Sequence, residues 1–172
     1  VDRLVYTYTP DNNSRAQSMA SGAVDGTNLP PRLIDSLATG DVETVAVNSA
    51  DWRGIALPAG NPFTADVSAR LAMNLGVDRE AIVRDVLRGY GRQASTPVAE
   101  AYGAAYNPDA QYAFDADEAT EMLDAAGWRM GSDGVREKDG ARASFELLYN
   151  AQDTLRRDLA VAYAAARTRT KP

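Results

Sequence analysis

The sequence predicts a mixed α/β (α+β) fold, and three observations carry that reading. Apolar residues recur at helical spacing between Asp66 and Gly89 and again between Asp115 and Gly127. Short runs of alternating β-formers, "LVYTYT" at 4–9 and "TVAVN" at 44–48, have the period of strands. Asp139-Gly140 stands between two further short runs, and Asp-Gly is the strongest two-residue hairpin signal in the chain.

Taken in order, Leu4 to Thr9 is a predicted strand stopped by Pro10, which has no N–H to give a ladder. A helix is expected over about Ser14 to Ser21, with Asn12, Asn13 or Ser14 as its cap. Gly22 is its stop, and Ala23-Val24-Asp25 a short strand beyond it. In "NLPPRLIDSLATGD", Pro30 suits a helix start and Gly40 a stop. Thr44 to Asn48 is the second β-type run. "RGIAL", after Trp52, is a further short strand ended by Pro58.

The best-patterned stretch is "NPFTADVSARLAMNLGVDREAIVRDVLRGYG". Asp66 caps a helix that aligns Val67, Leu71 and Leu75 at i, i+4, i+8, and Gly76 closes it. Asp78 caps a second helix with the apolar stripe Ile82, Val83, Val86 and Leu87, ended by Gly89. Arg79, Glu80, Arg84, Asp85 and Arg88 face water. Residues 90–113 carry prolines, glycines and tyrosines without a period and read as an ordered loop. In "YAFDADEATEMLDAAGW", Asp115 with Glu118 resembles a capping box. Ala119, Met122, Leu123 and Ala126 form the buried face there, Gly127 is the stop, and Trp128 packs back. "DGVREKDGARASFELLYN" is a hairpin with Phe145, Leu147 and Tyr149 on one face. A last helix follows, with Leu155, Leu159, Ala162, Tyr163 and Ala166 as its stripe. There is no internal repeat and no low-complexity tract.

Composition narrows the chemistry. The 172 residues carry a formal charge of −6, with 45% hydrophobic residues and a pI near 4.7. A chain of this length buries roughly 70% of its unfolded surface, enough for one domain with a true core. The acidic balance disfavours a general nucleic-acid binder, which needs a basic face to displace counterions. The chain has neither Cys nor His. It therefore holds no disulfide, no thiolate metal site, no Ser-His-Asp triad and no Cys-His pair. No apolar run nears the ~20 residues that span a bilayer, and no signal peptide is visible. The abrupt opening "VDRLVYTYTP" and closing "RTRTKP" are expected to be cuts in a longer protein, with 168–172 a frayed or foreign tail.

Few side chains offer chemistry, and no catalytic or metal-ligating residue is assigned. Asp66, Asp78 and Asp115 sit at helix starts, where capping accounts for them. Glu118 and Glu121 lie on a solvated face. "DGVREKDG" lacks the alternating acidic residues of a calcium loop, and no phosphate-cradling glycine motif occurs. Arg156, Arg157, Arg167, Arg169 and Lys171 read as a solvated face or tail. Two places remain as ligand-binding candidates. Trp52 with Arg53 lies on a loop between short strands, where stacking and carboxylate pairing are available, against the alternative of a Trp packed under a loop. "YNAQD" leaves a predicted strand and enters a helix, a position where α/β folds often bind ligands. Asn150, Gln152 and Asp153 are the polar groups there, with helix capping as the competing role for Asn150 and Asp153.

The order of segments says more than any one of them. "RAQSMASGAVDG", "NPFTADVSARLAMNLGVDREAIVRDVLRGYG", "YAFDADEATEMLDAAGW" and "DGVREKDGARASFELLYN" succeed one another. That series resembles the family 5 extracellular solute-binding proteins of ABC importers, the dipeptide-, oligopeptide- and nickel-binding group, from about Val5 to Ala165. The departures are small: Ala69-Arg70-Leu71-Ala72 stands for Val-Arg-x-Ala, "ALPAG" replaces an aromatic and Asn, and Met122-Leu123 stands for Leu-Leu.

The resemblance implies part of the C-terminal lobe of a periplasmic-binding-protein-like II fold. It implies an extracytoplasmic location, periplasmic or lipid-anchored, and no cofactor. The partners it implies are a small, peptide-like solute and ABC permease subunits, with no nucleic acid. It places the turn at Asn150 to Asp153 near the solute and Trp52 and Arg53 less closely, while the main ligand-pairing residues would come from sequence beyond this chain. Any metal would arrive held by a chelator. The rival classes are a carboxylate-based hydrolase, which needs facing acids with one raised pKa, and an interaction domain. A dimer driven by apolar surface exposed on truncation belongs with the latter.

Overall fold

The computed structural model describes residues 2–37, 42–47 and 49–169 and, in the last helix, side chains up to Ala166. The expected stop at Gly40, the end of the second β-run at Asn48 and residues 170–172 of the expected tail 168–172 lie outside the described residues, as do the side chains of Arg167 and Arg169, while the backbone of 168 and 169 continues the last helix. The chain divides into two compact units, 1–47 and 48–172.

The first unit is built on α1 (Asn12–Ala20). Asp11, not Asn12, Asn13 or Ser14, is its cap: the carboxylate accepts the Ser14 amide at 2.7 Å and the Ser14 hydroxyl at 2.9 Å. An ionised acceptor at the helix start outcompetes the neutral amides next to it. The helix ends as expected at Gly22, whose φ of +70° suits only a residue without a Cβ. The Gly22 N–H donates to the Met19 carbonyl at 3.1 Å and the Ala23 N–H to Ser18 at 2.9 Å, the paired bonds of a Schellman close. Arg15 ties the unit together. Its guanidinium donates to the carbonyls of Thr9 (2.9 Å), Pro10 (3.2 Å) and Asn28 (3.0 Å) and to Asn12 Oδ1. After Pro30 come α2 (Pro31–Ile34) and a 3₁₀ turn, Asp35–Leu37, which buries Leu37.

The predicted strands at 4–9, at Val24 and over 44–47 are not strands in the structure, and neither is "RGIAL" at 53–57 in the second unit. These segments are neither helix nor strand and make no backbone–backbone hydrogen bonds among the described residues. Alternation favours extended backbone, but a strand also needs a second chain segment to take its N–H and C=O groups. Tyr6 and Tyr8 are accordingly 88% and 90% exposed.

The second unit opens its regular structure with α3 (Pro62–Ala65) and α4 (Val67–Leu75). Asn61 caps α3 by accepting the Phe63 and Thr64 amides. Asp66 caps α4 by accepting those of Ser68 and Ala69. The buried face of α4 is Ala69, Ala72 and Met73, not the expected Val67–Leu71–Leu75 row; Val67 is 58% exposed. The face is offset because α4 meets α6 (Ala116–Ala125) through small residues, with Ala119 buried on the α6 side. The two run antiparallel: the Asp115 N–H before α6 donates to Leu75 O at the end of α4, and Trp128 after α6 reaches Asp66 at the start of α4.

Asp78 caps α5 (Arg79–Asp85) as expected, by accepting the Ala81 amide. The helix stops four residues short of Gly89. The loop to Asp115 contains a 3₁₀ stretch, Glu100–Ala105.

Asp115 caps α6 by accepting the Glu118 amide at 2.8 Å. Gly127 (φ +88°) closes it with the same bond pair as Gly22: Gly127 N–H to Asp124 O and Trp128 N–H to Leu123 O. Then comes a three-stranded antiparallel sheet, β1 (Arg129–Met130), β2 (Arg136–Lys138) and β3 (Ala141–Arg142). The hairpin at Asp139-Gly140 is as expected, with both residues at positive φ, +51° and +79°. The β1 partner was not visible in the sequence. From Phe145 to Tyr149 the chain is neither helix nor strand and makes no backbone hydrogen bond among the described residues, with Phe145 and Leu147 half-buried and Tyr149 exposed. It then enters α7 (Thr154–Arg169). The core is Phe63, Ala69, Met73 and Trp128, with Leu57, Leu123, Ala126 and Phe145 packed against it.

Candidate functional site

The residues singled out from sequence fall in two places in the second unit, and no hydrogen bond or ion pair joins the two among the described residues. At the first, Arg53 forms an ion pair with Asp51. Trp52 is 39% exposed, and its indole folds over its own chain. A Cβ at Gly54 would lie 2.0 Å from the ring, so only glycine fits beneath it. Leu57, five residues on, packs into the core.

At the second, Asn150 Oδ1 accepts the Gln152 amide at 3.0 Å, and Asn150 O accepts the Asp153 amide at 3.0 Å. Asp153 caps α7: Oδ1 accepts the Arg156 N–H at 3.0 Å, Oδ2 takes the Arg156 Nε–H at 2.9 Å, and its carbonyl takes the Arg157 N–H. The helix start thus stands on Asp153, and Asn150 shapes the turn. Gln152 is exposed, and its side-chain amide has no partner among the described residues.

The most elaborate polar arrangement was read from sequence only as a helix cap. Asp66 Oδ2 accepts Trp128 Nε1–H at 3.1 Å and Lys138 Nζ–H at 2.9 Å, while Oδ1 holds the start of α4. The Lys138 ammonium lies 5.8 Å from the Trp128 ring centre. The bond from Lys138, with those from Trp128 and the Ala69 and Ser68 amides, outweighs burial and lowers the Asp66 carboxyl to about 2. A shallow recess of about 320 Å³ opens here, lined by Pro62, Asp66, Trp128, Lys138, Asp139 and Ala141. Its one carboxylate with an altered pKa already has four N–H donors, so it braces the fold rather than offering a free acid or base. Nothing local foretells that meeting: Trp128 and Lys138 are 62 and 72 residues from Asp66.

Other carboxylates follow the same direction. Arg136, which also donates to Trp128 O, lowers Asp124. Arg142 lowers Asp133, and the Ser14 amide and hydroxyl lower Asp11. A carboxylic acid serving as a general acid near neutral pH needs the opposite shift. Among the described residues no cluster of three or more acidic residues is arranged to hold a metal ion, and no helix is long and apolar enough to cross a membrane.

Comparison with known proteins adds the whole-chain view. The model for bacterial extracellular solute-binding proteins, family 5 Middle, matches residues 1–167. Protein XP55 of Streptomyces lividans is 39% identical over 168 residues, which cover 96% of this chain and 30% of that protein. The oligopeptide-binding protein AppA of Bacillus subtilis is 27% identical over 165 residues, 94% of this chain and 30% of AppA. Among solved structures, NikZ from Campylobacter jejuni in complex with Ni(L-His) superposes with a TM-score of 0.83 at 26% identity, over 95% of this chain and 33% of NikZ. AppA in complex with a nonapeptide superposes with a TM-score of 0.73 at 25% identity, over 94% of this chain and 33% of AppA. The chain therefore spans about a third of the length of the relatives it matches.

Proposed function

Because the chain belongs to the bacterial extracellular solute-binding proteins of family 5, we propose that it is part of the C-terminal lobe of a two-lobed protein that captures a small, peptide-like solute outside the cytoplasmic membrane. The solute is held between lobes that close by hinge motion, and the loaded protein delivers it to an ABC permease. No bond is made or broken. The observation that carries this reading is the family match along residues 1–167, together with the superposition on NikZ over 95% of the chain.

Within these residues the solute meets the turn 150–153. The unpartnered amide of Gln152 faces solvent there, on a turn held by Asn150 and closed by the Asp153 cap. The exposed Trp52 is a second, stacking contact. Peptide-like solutes suit such groups, since affinity in a cleft rests on a few preset polar contacts beside apolar walls. The lowered carboxylates and the lack of His and Cys favour this over a hydrolase.

Titration calorimetry tests the proposal. The full protein is expected to bind a di- or oligopeptide tightly, and the 172 residues alone to bind weakly or not at all. Tight dipeptide binding by residues 1–172 alone, or failure of the full protein to bind any member of a peptide panel, overturns it.

A further inference from the structure

We infer that Asn61 is a positioning residue for the 150–153 turn, 89 residues further along the chain at its nearest; the inference rests on the reading of that turn as a solute contact. One side-chain amide does two jobs. Its Oδ1 accepts the Phe63 N–H at 2.9 Å and the Thr64 N–H at 3.2 Å, which caps α3. Its Nδ2 donates to the Ser144 carbonyl at 2.9 Å. Because the oxygen is committed to two N–H donors, the amide has one orientation, with its NH₂ toward Ser144.

Ser144 is where the regular structure ends. The Ala143 amide still donates to Arg136 O, and the Ser144 amide to Arg142 O. No backbone hydrogen bond is made by residues 145–149 among the described residues, and backbone bonding resumes when the Asp153 amide donates to Asn150 O. The intervening five residues span about 17 Å when extended. Such a run acts as a lever: a swing of about 10° at Ser144 carries the turn about 3 Å, further than a hydrogen bond tolerates. Two contacts fix the root of that lever. Phe145 stacks on Phe63, with ring centres 6.4 Å apart and planes 20° apart, and Asn61 holds the Ser144 carbonyl. Both come from α3 and its cap, so the helix start that anchors the core also aims the turn.

Spin-label distances test this. In the full protein, with any cysteine outside these residues replaced, cysteines introduced at Glu121 on α6 and Ala151 in the turn carry the labels; the 172 residues contain no Cys of their own, and both positions are exposed. A second pair, Glu121 and Ser132, reports the core. Asn61→Asp and Asn61→Ser keep an acceptor for α3 and lose the donor to Ser144. Both are expected to lose the single narrow 121–151 distance peak while keeping the 121–132 peak and nearly the same thermal midpoint. Asn61→Ala is expected to lose the 121–151 peak and lower the midpoint as well. A narrow 121–151 peak that survives in both Asn61→Asp and Asn61→Ser overturns the inference, and so does broadening of the two pairs together. In the full protein, Asn61→Asp is expected to weaken peptide binding about tenfold through misplacement alone. Unchanged affinity despite a lost peak overturns the positioning role. Absence of peptide binding by the unsubstituted protein overturns the proposed function instead, and leaves the label distances to be judged separately.

Discussion

The two units of this chain use the same local devices and reach different degrees of burial. In residues 1–47 an acidic cap, a nine-residue helix and a left-handed glycine form α1, yet among the described residues the buried apolar side chains are only Ala16 and Leu37. In residues 48–172 the same cap and glycine close form α6, and the residue after the glycine is Trp128, 2% exposed. Its ring meets Phe63 edge-on at 4.9 Å, its N–H reaches Asp66, and its carbonyl takes Arg136. At the matching position in the first unit stands Ala23, which has no side chain able to reach anything. The difference teaches that a helix stop sets direction, while the residue placed just beyond it decides whether distant segments are drawn together.

Trp128→Ala gives the sharpest test of that contrast. It removes the aromatic plug and a hydrogen bond at once, and is expected to cost about 3–5 kcal/mol in urea unfolding. A loss below 1 kcal/mol would mean that the second unit does not depend on its Trp. Asp66→Asn comes next. The carboxyl is at about 2 in the folded protein against 3.8 in its absence of partners. The stabilisation it gives is present above about pH 4 and lost as pH falls toward 2. Unfolding at pH 7 is expected to show a loss on the order of 2 kcal/mol for Asp66→Asn, with the gap to the unsubstituted chain closing by pH 2. Gly22→Ala forces a Cβ into the left-handed region and is expected to cost about 1 kcal/mol, read as faster amide exchange at Gly22 and Ala23. Tyr6→Ser, at a nearly bare position, is expected to stay within about 0.5 kcal/mol. A larger effect there would show that the extended segment contributes more to its unit than its exposure implies.

These outcomes also mark what could be read in advance. Caps at Asp66, Asp78 and Asp115, the closes at Gly22, Gly76 and Gly127 and the Asp139-Gly140 hairpin were legible, because each is decided within about four residues; Gly89 was not the end of α5, and Asp153 was open between cap and ligand contact. The alternating runs did not become strands, since pairing depends on a partner that sequence spacing does not name. Asp11 was missed because three neighbouring cap formers drew the eye past the acid before them. The buried face of α4 was misread because row spacing favours the largest side chains, whereas the facing helix selected alanines. Of the candidate contacts, the turn at 150–153 was legible as the entry to the last helix, but the strand expected before it is not formed. The strap from Asn61 to Ser144 could not be, since it crosses 83 residues.

Ala69 and Ala72 on α4 and Ala119 on α6 leave the two helices little to rearrange when they meet. A methyl group has no rotamers to freeze, so closing this seam carries almost no side-chain entropy cost. The three alanines let the two backbones approach closely, and what freedom the seam keeps lies in Met73 and Leu123 beside them.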